Sequence, residues 1–227
     1  ITAIIVVVSP PKNTFQLDIK VLLSSSIIFL ILLFNRSIAY WWVGLILIFC
    51  LFLYIFYIIK FSDYNSIEES NKENISLAKA LTIFVLGLIG VSLGAKLFTV
   101  GSIDLARYFG IRETIIGLGI LAFGTSLPEV ATSIIAAIKK ENNIAVGNIV
   151  GSNIFNILGI GGVTIVISGN EALKSFPNLL TISDIIPFML STIILVAFYK
   201  YRYVLGRVYG VLFVTFYLLW ILYIFLN

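Results

Sequence analysis

Long apolar runs, most of them long enough to cross a membrane, alternate along this chain with short polar connections. The pattern predicts spans near 21–34, 39–59, 78–100, 112–138, 144–167, 185–199 and 204–226, the first and sixth of them short. A membrane strand would alternate apolar and polar positions over about 10 residues, which these runs do not, so the spans read as helices. Residues 1–8 form an apolar run too short to cross and unlike a signal peptide; it reads as the tail of a helix that begins upstream. Connections are brief except around 60–77, where KFSDYNSIEESNKENISL mixes both charge signs and reads as a hydrophilic loop. The expected fold class is all-α, a polytopic transmembrane helix bundle of seven spans and a remnant, forming one domain over 1–227.

Composition agrees with the pattern. Of the 227 residues 60% are hydrophobic and 11% charged, far from the balance of a soluble domain. The net charge of +4 needs no nucleic-acid partner, because the basic residues sit in connections beside apolar spans, where they set topology. Counted by side, ten of them (Lys12, Lys20, Lys60, Lys72, Lys79, Lys139, Lys140, Lys200, Arg202, Arg207) face four (Arg36, Arg107, Arg112, Lys174), with Lys96 inside a span. The larger group is expected in the cytoplasm and Asn227 outside. Histidine is absent and Cys50 is the single cysteine, so neither a zinc site of the usual kind nor a disulfide framework is expected. Gly90 with Gly94, and Gly147 with Gly151, have the spacing of close helix contacts. Lys96 reads as a snorkelling side chain, and Asp104 with Arg107 as the outer end of a helix.

Two polar clusters interrupt the apolar pattern, both within 117–162. The first holds Thr125, Ser126 and Glu129, with Pro128 among them; the second holds Asn148, Ser152, Asn153 and Asn156. An ionisable residue at mid-span is costly in hydrocarbon and marks a candidate functional site. On a continuous helix Thr125, Ser126 and Glu129 share one face, as do Asn148, Ser152 and Asn156. Pro128 has no N–H for the carbonyl of Gly124, and its ring displaces that carbonyl, so backbone oxygens near Ala122 to Thr125 are freed; Gly124 lets the chain deform there. Within a membrane such a break survives only against protein or a water-filled cavity. Hydroxyl, amide and carbonyl oxygens around one carboxylate suit a hard cation such as sodium or calcium. The turn at 139–142 would make the two spans antiparallel neighbours. Glu129 is the one well-centred carboxylate of the pair, so a second is expected from elsewhere to balance a divalent ion.

GTSLPE at 124–129, followed by GNIVGSNIFN at 147–156, resembles the second of two inverted α-repeats in the cation/calcium exchanger superfamily, in particular bacterial and archaeal sodium/calcium exchangers. The resemblance implies an exchanger of ten helices in two halves, of which this chain carries about seven and a half. Residues 1–9 would end the first half, 20–59 hold two connecting helices, 60–77 a cytoplasmic loop and 78–227 the second half. It implies that Glu129 and Thr125 resemble calcium ligands, and that Ala122 (through its carbonyl), Ser126 and Ser152 resemble sodium ligands, with Asn153 and Asn156 beside them. Asn156 stands where many members carry an acid, which bears on sodium stoichiometry and potassium involvement.

The function expected is a secondary antiporter, not an enzyme, exchanging calcium for sodium by alternating access. It would have no cofactor, the calcium and sodium ions being cargo, and its partners would be the bilayer and the missing N-terminal repeat, without which the site is incomplete. A multi-pass protein of the plasma (inner) membrane is implied, its oligomeric state left open. Two alternatives stand beside it: proton coupling on the same fold, and a scaffold bundle whose polar faces serve helix association alone.

Overall fold

A computed structural model describes residues 1–5, 7–8, 16–35, 38–61, 76–113, 116–168, 182–201 and 204–226. Most of the 60–77 loop, and the basic residues Lys12, Arg36, Lys72, Lys174 and Arg202, lie outside the described residues. The described residues are almost wholly helical, and the chain is a polytopic all-α membrane protein. In order the helices are α1 (Thr2–Ile5), α2 (Gln16–Phe34), α3 (Trp41–Phe61), α4 (Leu77–Tyr108), α5 (Ala122–Thr125), α6 (Leu127–Ile138), α7 (Asn142–Phe155), α8 (Gly161–Ser168), α9 (Ile182–Lys200) and α10 (Arg207–Leu226). A π-helical turn, Ile116–Leu121, leads into α5, and another, Asn156–Ile160, joins α7 to α8.

The predicted spans all recur as helices, with shifted ends. Helix α2 starts at Gln16, so the first span is less short than its apolar run suggested. Helix α4 runs on to Tyr108 for 32 residues, about 48 Å at 1.5 Å per residue, against a hydrocarbon core of about 30 Å. It continues past Val100 because Gly101-Ser102-Ile103-Asp104, though polar enough to end an apolar run, contains no residue that stops a helix. It stops at a Schellman turn: Ile111 N–H bonds the Ala106 carbonyl, Gly110 N–H bonds that of Arg107, and Gly110 has φ +71°.

The chain divides into two units. One comprises Ile1–Val8, Asn65–Glu141 and Leu205–Asn227. Within it α4 packs along the first π turn, α5 and α6, while α1 packs on α10 and α6. Gly210 lets α10 meet α1 backbone to backbone: a Cβ there would lie 2.8 Å from Ile4 N and 3.0 Å from the carbonyl carbon of Ala3. Val8 and Leu205 close this edge with two backbone hydrogen bonds of 3.0 and 2.9 Å.

The second unit comprises Ser9–Tyr64 and Asn142–Val204. Its tightest packing is α3 against α8. A Cβ on Gly44 would fall 2.7 Å from Val166 N, and one on Gly162 would fall 3.0 Å from the Gly44 carbonyl oxygen. Helix α2 packs against α7, the second π turn and α9, with Phe29 meeting Phe188 edge-on at 5.8 Å. At the start of α2 the Asp18 carboxylate accepts a hydrogen bond from the Tyr54 hydroxyl of α3. The glycines singled out by spacing behave differently from expectation. Among the described residues nothing lies within 4 Å of a Cβ built on Gly90, Gly94 or Gly151, whereas Gly44, Gly124, Gly162 and Gly210 make the close approaches. Spacing alone identifies a small-residue face and not its occupant.

Candidate functional site

The first polar cluster sits at a break in its span. Helices on either side of Ser126 are bent by 49°. Ser126 itself has φ −90° and ψ −1°, and its N–H bonds the Phe123 carbonyl at 3.1 Å in place of the next carbonyl back. Pro128 occupies the first turn of α6, where its missing N–H costs no intrahelical bond. The continuous helix face assumed for Thr125, Ser126 and Glu129 is therefore corrected. Thr125 ends α5, Ser126 is the hinge, and Glu129 lies in the first turn of α6.

The break converges oxygens in a different way. The Ala122 carbonyl accepts from both hydroxyls, Thr125 Oγ1 at 3.0 Å and Ser126 Oγ at 3.2 Å. Ser126-Leu127-Pro128-Glu129 has the sequence of a capping box, yet the Ser126 side chain makes no capping bond to α6. Its hydroxyl is committed to Ala122, and the amide end of α6 is left to favour negative charge at Glu129. Glu129 is half-buried, with Oε2 shut away from solvent, while Ala122, Thr125 and Ser126 are exposed.

Gly124 takes part through packing, not through deformation. Its φ is not positive; instead the Thr99 side chain of α4 lies against it, and a Cβ there would come within 3.0 Å of Thr99 Cβ and 3.2 Å of Cγ2, overlapping Oγ1. Thr99 is buried, and its hydroxyl is tied to the Ala95 carbonyl at 2.7 Å, so it cannot give way easily. Sequence reasoning missed Thr99. The signal available was only one of several hydroxyls in α4, which also carries Thr82, Ser92 and Ser102.

The second cluster lies on α7 and follows a similar local rule. The Ile149 carbonyl accepts from Ser152 Oγ at 3.2 Å and from Asn153 Nδ2 at 2.7 Å. Gly124-Thr125-Ser126 and Gly151-Ser152-Asn153 thus each direct two neighbouring side chains to the carbonyl two residues before the glycine. Along α7, Ala145, Val146, Val150 and Ile154 are buried, and Asn148 and Ser152 lie round on the other face, half-buried. Asn156, exposed, opens the π turn, where the Gly161 N–H reaches back five residues to the Asn156 carbonyl. Such single π turns inside helices are frequent at functional sites because they alter the carbonyl register. The first cluster belongs to one unit and the second to the other.

Among the described residues no group of three or more His, Cys, Asp or Glu could hold a metal ion. The first cluster offers a carboxylate, two hydroxyls and the Ala122 carbonyl, and the second a hydroxyl and amides; each kind of oxygen donor suits a hard cation and not a soft one.

The sequence profile of the sodium/calcium exchanger protein family matches residues 79–226. An uncharacterized membrane protein of Methanocaldococcus jannaschii, MJ0091, is 30% identical over 182 residues, 79% of this chain and 56% of the relative. The sodium/calcium exchanger MaX1 of Methanosarcina acetivorans is 39% identical over 120 residues, 51% of this chain and 34% of its own length. The putative antiporter CaxA of Alkalimonas amylolytica is 46% identical over 90 residues, 40% of this chain and 28% of the relative. The chain thus spans between about a quarter and somewhat over half of these curated relatives. A solved structure of the sodium-calcium exchanger NCX_Mj, soaked with zero Na+ and Ca2+, superposes with a TM-score of 0.68 at 29% identity, covering 96% of this chain and 68% of that one. With its helical fold, its broken span and this profile over most of its length, the chain belongs to the sodium/calcium exchanger protein family.

Proposed function

We propose that the protein is a secondary antiporter exchanging calcium for sodium, with Glu129, Thr125, Ser126, Ser152, Asn156, Asn153 and the Ala122 carbonyl contributing to its ion site. The observation that carries this reading is the convergence of Thr125 Oγ1 and Ser126 Oγ on the Ala122 carbonyl, at 3.0 and 3.2 Å, where the helix breaks before Glu129. Oxygens about 3 Å apart are spaced as neighbouring ligands of a cation held at roughly 2.3–2.6 Å. Rotating the two hydroxyls turns their lone pairs outward and frees the carbonyl, so three neutral donors become available without moving the backbone.

Glu129 supplies the charge. One carboxylate balances one sodium ion and leaves a calcium ion half compensated, so a second carboxylate from the other repeat of the full transporter completes the divalent site. A site that must be neutralised by one load or the other, and not left bare, couples ion occupancy to alternating exposure on the two sides. The basic-residue asymmetry of the connections supports cytoplasmic connections on the richer side and a C-terminus outside; a plasma or inner membrane location rests on the resemblance to bacterial and archaeal exchangers.

The reading is tested in membrane vesicles carrying this chain together with the first repeat that completes the site, by imposing a sodium gradient at constant pH and then a pH gradient without sodium. Calcium accumulation with the first and not the second is expected. Accumulation driven by the pH gradient alone would replace sodium by protons as the coupling ion, and no calcium movement under either would overturn calcium exchange.

A further inference from the structure

In the second unit α7, the second π turn and α8 form one continuous arm, and its two helices are asked to face different neighbours. Counted at about 100° per residue from Val146, the buried Val150 and Ile154 lie at about 40° and 80°, while Asn148, Ser152 and Asn156 lie at about 200°, 240° and 280°. Beyond the turn, α3 packs on Gly162 and Val166: a Cβ on Gly44 would lie 2.7 Å from Val166 N, and one on Gly162 would lie 2.9 Å from Ile48 Cγ1. Were the arm α-helical throughout, Gly162 and Val166 would fall at about 160° and 200°, on the side of Asn148 and Ser152. A plain α-helix would thus turn the polar face of α7 to the side that α3 covers.

The π turn at Asn156–Ile160 removes the conflict. The Gly161 N–H reaches five residues back to the Asn156 carbonyl, so this turn holds one residue more than an α turn. The extra residue sets the following helix back by about 100°, which brings Gly162 and Val166 to about 60° and 100°, beside Ile154 and away from the polar residues. An extra residue of this kind can migrate along a helix, because each neighbouring register exchanges one carbonyl acceptor for the next. Moved towards α7 and past Asn156, it would leave the glycine contacts of α8 in place and swing Asn156 by about 100° around the arm. Leu51 of α3 stands where it opposes that shift. It is buried over Gly159, inside the turn, where a Cβ would lie 3.0 Å from Leu51 Cδ2 and 3.4 Å from two carbons of the Phe155 ring.

We propose that Leu51 is a positioning residue for the ion site: seated on Gly159, it pins the π turn and so fixes the direction in which Asn156 is presented beside Ser152. This rests on the ion-site reading above. Leu51 has no polar side-chain atom and acts through the turn, not as a ligand. The resemblance places Ser152 among the sodium ligands, so sodium is the load that feels a loosened turn more.

The test measures sodium-driven calcium uptake in vesicles carrying the chain together with the first repeat, resolved into apparent KM for each ion and maximal rate per folded molecule. Leu51→Ala should raise the KM for Na+ by roughly tenfold, the order expected when a group that orients a ligand is lost, with smaller changes in the KM for Ca2+ and in the maximal rate. Leu51→Met refills the space and should stay near the unaltered protein. Leu51→Val, a milder truncation that decides the matter if Leu51→Ala does not fold, should fall between. Ile48→Ala removes packing from the same seam beyond the turn, over Gly162, and should lower thermal stability while leaving both KM values in place. An unchanged KM for Na+ in Leu51→Ala and Leu51→Val, or an equal rise in Ile48→Ala, would overturn the role of Leu51. A raised KM for Na+ in Ser152→Ala beside unchanged values in the Leu51 variants removes this inference alone. An unchanged KM in Ser152→Ala, or no sodium-driven uptake by the unaltered protein, removes the ion-site reading beneath it.

Discussion

Gly124 is the residue on which the site's local geometry turns, and the reason lies in a neighbour and not in its own torsions. An alanine there would drive its Cβ into Thr99, whose hydroxyl is held by Ala95 and whose branched side chain has little rotamer freedom. Overpacking of this kind costs about 1–3 kcal/mol. Gly124→Ala should therefore lower thermal stability in detergent, and Thr99→Ala in the same chain should recover part of the loss, since it removes Oγ1 and Cγ2; strict additivity of the two would contradict the contact. The polar residues of the site were legible in the sequence because a carboxylate and hydroxyls stand out in an apolar span. Thr99 was not, because one hydroxyl among several in an apolar helix is ordinary. The partnership of Ser126 with Ala122 was also hidden, since the same four residues read equally well as a capping box.

At the scale of elements, the ends of the helices carry information that the apolar pattern does not. Helix α6 closes with a Schellman turn in which Lys140 takes the left-handed position, φ 63°, while Lys140 N–H bonds Ala137 and Glu141 N–H bonds Ala136. A side chain in that region costs about 1 kcal/mol or more, so Lys140→Gly should raise stability by roughly 1 kcal/mol, read as a higher unfolding midpoint. The equivalent place after α4 already holds Gly110. Just beyond it, the hydrogen bond from Arg107 holds the Glu113 carboxyl below its ordinary value of 4.5. A carboxyl lowered in the folded state stabilises fully above its unfolded pKa and loses that contribution as pH falls through the folded one. Stability should therefore decline slightly on acidification below about pH 4.5, less so in Glu113→Gln and less so in high salt, because the pair is 55% and 68% exposed. Spans were predictable from length and apolar content. The two π turns were not, because one extra residue per turn depends on which carbonyls the surrounding helices leave available.

For the whole molecule, the division into two units separates the two polar clusters at Glu141 and Asn142, the turn that sequence reasoning used to make their spans antiparallel neighbours. Membership of the sodium/calcium exchanger family could be read from GTSLPE and GNIVGSNIFN, the first holding the hydroxyls, the proline and the carboxylate at the break and the second the polar side chains of α7 and the start of the second π turn. The detailed helix register could not, because it is fixed by contacts such as Thr99 with Gly124 between residues far apart in sequence. What the account asks of the intact protein is that Glu129 carry the charge for both loads. The most direct measurement is sodium-driven 45Ca uptake into vesicles bearing Glu129→Gln, alongside the unaltered protein at matched abundance and matched thermal stability. The account predicts that uptake disappears while the protein stays folded; uptake persisting at the unaltered rate would contradict it.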